Sequence, residues 1–92
     1  MKMITLDLET IKMMNMVILQ KALENFDGNR LYVIEESSIC TVRYDFYPTD
    51  TGIEVWTETK VNITNKWYEP ELECIYTWEE IPEAYKTKLG AK

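Results

Sequence analysis

Histidine is absent from this 92-residue chain, and cysteine, glycine and proline number only two, three and three. Without histidine, the commonest general base, the usual activator of a serine or cysteine nucleophile and the commonest metal ligand are all missing. Cys40 and Cys74 are too few and too far apart for a zinc site, so they read as reduced core residues. The glycines at 28, 52 and 90 stand singly, which leaves no glycine-rich loop to cradle a phosphate. No apolar run approaches the roughly 18–20 residues that cross a bilayer, and the first residues lack the basic-then-apolar order of a secretory signal. Repeats, linkers and low-complexity tracts are lacking too. These absences lead us to expect a single domain over residues 1–92, cytoplasmic, not an enzyme, with no cofactor, no metal and no membrane association.

What is present is a core and a charge. Hydrophobic residues make up 46% of the chain, with three Trp, six Tyr and two Phe, enough apolar area to fold. The net charge is −6, and it is unevenly spread. Acids and bases cancel over residues 1–30, residues 31–83 hold twelve acids against three bases, and the last residues add Lys86, Lys88 and Lys92. Such a negative body repels nucleic-acid phosphates and anionic membranes and attracts a basic partner. It also serves plain solubility.

The periodicity changes once along the chain. From about Asp7 to Phe26 it is helical, with Leu8, Ile11, Ile18, Leu19, Ala22 and Phe26 in one apolar arc around Asn15. Asp7 or Thr5 can cap this helix, and Asp27-Gly28-Asn29 stops it. Beyond it the period is two. Strands are predicted over Leu31–Glu36, Cys40–Tyr47, about Ile53–Ile63, and a fourth ending in Leu72, Cys74, Tyr76 and Trp78. Pro48–Gly52 and Asn65-Lys66 make turns. Pro70 places its end of the fourth strand at an edge or a bulge. Pro82–Leu89 predicts a short helix, with Gly90 as its stop. The fold class that follows is α+β: one long N-terminal amphipathic helix on a four-stranded antiparallel meander, then a short C-terminal helix.

Strand alternation yields the candidate site. Glu69, Glu71 and Glu73 fall on one strand face, and Glu54 and Glu58 read outward on the preceding strand, flanking Trp56. Together they form a carboxylate surface that serves either as a solvated face or as a recognition surface with the spacing of a nucleic-acid backbone. A flat strand face rarely converges enough oxygens for a divalent cation. For Trp56 two placements stay open: an interface anchor on that face, or burial through a bulge or under the C-terminal tail. On the helix, the core is expected to take Met14 and Met16. Met13 and Val17 are left over and suit a second interface or a homodimer.

In size and composition, though not in any motif, the chain resembles small bacteriophage and mobile-element proteins that block host machinery. That resemblance implies a non-enzymatic inhibitor, of the anti-CRISPR kind, acting as a nucleic-acid mimic on the basic surface of a larger, nucleic-acid-handling protein without touching nucleic acid itself. The alternatives are a self-associating structural or housekeeping component and a small carboxylate-dependent enzyme.

Overall fold

The structure is a computed structural model that describes residues 7–89. Thr5, the alternative helix cap, and Gly90, the expected helix stop, lie outside the described residues. The first helix, α1, spans Leu8–Glu24. Asp7 caps it by accepting a hydrogen bond from the Thr10 backbone N–H at 2.8 Å, and that bond holds the Asp7 carboxyl below its ordinary pKa. The helix ends two residues before Phe26, where the Asn25 N–H turns back to the Ala22 carbonyl. Gly28 follows at a φ of 97°, the left-handed region in which a side chain is costly.

The inner stripe of α1 is Asn15, Leu19, Ala22 and Leu23, all buried. Two expectations fail along it. Leu8 and Met14 are more than half exposed. The first turns are held instead by Lys12, whose backbone carbonyl accepts the Tyr76 hydroxyl and whose ammonium pairs with Glu80 at 2.8 Å. Met14 borders a groove where α1 passes over the sheet.

The sheet is antiparallel throughout. Strands β1 (Tyr32–Glu36), β2 (Cys40–Pro48) and β3 (Gly52–Val61) form a meander. The expected fourth strand is two pieces, β4 (Lys66–Trp67) and β5 (Glu71–Thr77), both paired with β3. The break falls at Pro70, which has no N–H to donate to a ladder. The registers Phe46↔Val55 and Val55↔Cys74 set one face. That face carries Phe46, Ile53, Val55, Cys74 and Tyr76 against Leu19, Ala22 and Leu23 of α1. Gly52 pairs with Thr77 where no side chain fits, since a Cβ there would lie 1.7 Å from the Tyr76 carbonyl oxygen.

A 3-10 turn (Trp78–Glu80) and α2 (Glu83–Leu89) close the chain over the same side. Ile81 is buried in the core, with Tyr85 and Leu89 packed against it. The Trp78 indole N–H donates to the Thr49 carbonyl at 3.0 Å, and the Lys88 ammonium reaches the Leu23 carbonyl at 3.4 Å. The result is a slab with extents of 43 × 33 × 19 Å. Its thinnest dimension suits two layers, so the second sheet face has no cover among the described residues.

Candidate binding face

The uncovered face is fixed by β3. Residues paired across antiparallel strands project to the same side, and Trp56 lies opposite Asp45 on β2 and Leu72 on β5. Glu54 lies opposite Tyr47 and Ile75, and Glu58 opposite Arg43. Trp56, Glu54 and Glu58 therefore share one face, away from α1. All three are half-buried, and the Trp56 indole N–H donates to Glu54 Oε1 at 3.0 Å.

A bulge does occur beside Trp56, but its extra residue belongs to β5. Val55 pairs with Cys74 and Trp56 with Leu72, which leaves Glu73 without a partner on β3. The alternation of β3 is thus intact, and that of β5 is shifted. Leu72, expected inward, comes out beside Trp56 and is 45% exposed. Glu71 pairs with Thr57, on the α1 side. Glu73 lines the groove under α1, and Glu69 precedes the strand. Glu69, Glu71 and Glu73 do not join Glu54 and Glu58, so the five carboxylates form no continuous surface.

The face is aromatic and mixed in charge. Tyr32, Ile34, Tyr47, Trp67, Leu72 and Ile75 are each between 44% and 49% exposed, and by register all stand on the Trp56 side. At its centre Asp45 is 4% exposed. Its carboxylate takes Arg43 Nε at 3.1 Å and Arg30 Nη2 at 3.4 Å. Both guanidinium groups lie over the Tyr32 ring, at 5.6 Å and 5.3 Å. Lys60 sits over Trp67 at 5.6 Å in the same manner. The Tyr47 phenol is held above its ordinary pKa, by burial first and then by the Asp45 carboxylate.

Sequence reasoning missed this Asp45–Arg43–Arg30–Tyr32 cluster. Counting across the Ser37–Ile39 turn would have found it, because Glu36↔Thr41 puts Tyr32 opposite Asp45.

The second expected interface is on α1, where Met13 is 71% and Val17 58% exposed. The cysteines both point to the α1 side, but only Cys74 is buried, while Cys40 is half-buried. Burial is the main cause that pushes the Cys74 thiol pKa up, which makes it a poor nucleophile. Among the described residues no helix is long and apolar enough to cross a membrane, and no three acidic or cysteine side chains gather as a metal-binding group. Neither a family model, nor a curated protein, nor a solved structure matches this chain.

Proposed function

We propose that this chain is a non-enzymatic binding protein whose open sheet face, centred on Trp56 with Glu54 and Glu58, docks on an arginine-bearing surface of a larger protein. The observation that carries the reading is the uncovered face itself. It holds a contiguous group of half-exposed aromatic and aliphatic side chains around a pre-bonded Trp–Glu pair. Apolar patches of this kind, rimmed by charge, mark interaction surfaces. Trp, Tyr and Arg dominate the energetics of such surfaces.

The choice of partner follows from chemistry the face already displays. Arg43 and Arg30 each stack on Tyr32 while pairing with Asp45. An incoming arginine can repeat that geometry on Trp56, with Glu58 as the carboxylate. Because Glu69, Glu71 and Glu73 lie elsewhere, the face offers a carboxylate pair rather than a long row. That fits a protein surface better than imitation of a nucleic-acid backbone. The net charge of −6 would still steer a basic partner from a distance.

The double substitution Glu54→Lys with Glu58→Lys tests this reading. Folding should persist, at a cost of about 1–2 kcal/mol because the Trp56 indole N–H loses its acceptor on Glu54, while partner affinity should fall. Affinity that is unchanged, and equally unchanged between low and high NaCl, contradicts it. Self-association through α1 is the second reading, favoured by the exposed Met13, Met14 and Val17. Sedimentation of the purified chain decides it.

A further inference from the structure

Strand β1 lies at the margin of the sheet and pairs with β2 alone. Two backbone bonds fix which of its groups are left over. The Phe46 N–H donates to the Leu31 carbonyl and the Ser37 N–H to the Cys40 carbonyl, each at 2.9 Å. Positions 31 and 37 thus direct their backbone at β2, and alternate residues of an antiparallel strand behave alike. Tyr32, Ile34 and Glu36 therefore turn both N–H and C=O the other way, along a free edge. Among the described residues no strand lies against that edge, and every residue of β1 except Val33 is exposed. Such edges are usually guarded by lysine, proline or a bulge. β1 carries no lysine or proline, its register with β2 is unbroken, and its two acids stand together at one end.

We propose that this edge pairs with the same edge of a second copy of the chain, antiparallel about a two-fold axis at Val33. Only Tyr32, Ile34 and Glu36 offer outward groups within β1, so even-numbered residues must face even-numbered ones. Among the registers that remain, charge decides. With Val33 on the axis, Tyr32 faces the partner's Ile34 and Arg30 faces the partner's Glu36, once on each side of the axis. Arg30 and Glu36 are both exposed and project to one side of the sheet, as directly opposed residues do. Moving the axis to Tyr32 or Ile34 takes Glu36 away from Arg30. Moving it to Glu35 sets that carboxylate against its own copy, which is destabilising.

A second feature fits the same register. Where the edge begins lies a groove of ≈ 520 Å³ whose lining includes Ala22, Asn25, Arg30 and Tyr32. The pairing brings the partner's Ser37–Ile39 turn alongside it. Ile39 is 75% exposed and stands outside this chain's own core. The dimer also sets Tyr32 and Ile34 of both copies in one strip on the Trp56 side. It does not depend on that face docking any partner.

Sedimentation equilibrium tests the pairing. One short edge buries less than the roughly 1,200–2,000 Å² of a stable interface, so Kd should be on the order of 0.1–1 mM. Across that range the mass should rise to a plateau at twice that of the chain. Glu36→Lys sets two cations face to face on both sides of the axis and should raise Kd about tenfold or more. Ile34→Pro removes an N–H that the single chain does not use, so it should fold and fail to dimerise. Val33→Cys puts the two thiols opposite each other across a non-hydrogen-bonded pair, within disulfide reach. It should cross-link under mild oxidation faster than Ile34→Cys or the parent. A chain that stays monomeric overturns the proposal, and so does mass that climbs past the plateau, the mark of an open head-to-tail array. A dimer that neither Glu36→Lys nor Ile34→Pro weakens also overturns it and belongs to α1. Faster cross-linking of Ile34→Cys overturns the register.

Discussion

The indole N–H of Trp56 and the carboxylate of Glu54, two residues apart on one strand, are joined at 3.0 Å on the uncovered side of the sheet. The bond spends the only polar atom of the indole inside the chain and fixes the ring in one orientation. On the proposed reading a partner would meet a settled aromatic surface rather than a mobile side chain, which lowers the entropy cost of docking. Trp56 is partly buried between its strand partners Asp45 and Leu72, so it is neither a core residue nor a free one.

Asn15→Leu should stabilise the protein. The substitution removes a buried acceptor without a partner, a group that costs about 1–3 kcal/mol, and leucine repeats the branched outline of asparagine, so it fills the same space. A gain of about 1 kcal/mol corresponds to roughly 4–8 °C in melting temperature for a domain of this size. A lower melting temperature would show that Oδ1 is paired in solution, by a bound water for instance.

Gly52→Ala should be among the most damaging small substitutions available. The added methyl would have to displace the backbone of β5 at Tyr76 and Thr77, not a flexible side chain. We expect a loss above about 2 kcal/mol, read as a fall in the urea midpoint. Gly28, with open space around it but a φ of 97°, should cost about 1 kcal/mol when changed to Ala.

The Lys12–Glu80 pair gives stability a defined acid limb. The lysine hydrogen bond, then the Thr77 backbone N–H, hold the Glu80 carboxyl below its ordinary value of 4.5. A carboxyl with a depressed folded pKa contributes fully above its unfolded pKa and loses that contribution as pH falls through the folded one. Glu80→Gln should therefore cost at most about 1 kcal/mol at pH 7, because the pair is partly wet. The gap between parent and variant should begin to shrink as pH falls below the ordinary value of 4.5 and go on shrinking as pH falls through the lower folded value. A gap that does not change with pH would show that the Glu80 charge contributes nothing.

Much of the fold was legible because each element repeats its own signal. The helix carries Asp7 as a cap and a stop after Glu24, and β2 alternates without interruption from Cys40 to Phe46. What escaped was non-local. Nothing in the run Glu69–Trp78 marks Glu73 as the extra residue of a bulge, since a bulge is decided by the pairing of β5 with β3. That single shift separated Glu71 and Glu73 from Glu54 and Glu58, and moved Leu72 out to Trp56. Trp56, Glu54 and Glu58 share one face, as alternation predicts, because β3, the strand that carries them, is regular. Asp45 and its arginines escaped for a related reason: their meeting depends on the register across a turn.

The measurement that bears most directly on the open face is a paired one on Trp56→Ala: its melting temperature, and its affinity for a partner isolated with the parent protein and then purified. A half-buried Trp should cost about 1–2 kcal/mol in stability when truncated, against about 3–5 kcal/mol for a core aromatic such as Phe46. As an interface anchor it should cost at least 2 kcal/mol in binding, about thirtyfold in Kd. The face is the docking surface if the variant still folds cooperatively, melting no more than about 15 °C below the parent, and binding falls by that factor or more. It is not if the folded variant binds the same partner as tightly as the parent does.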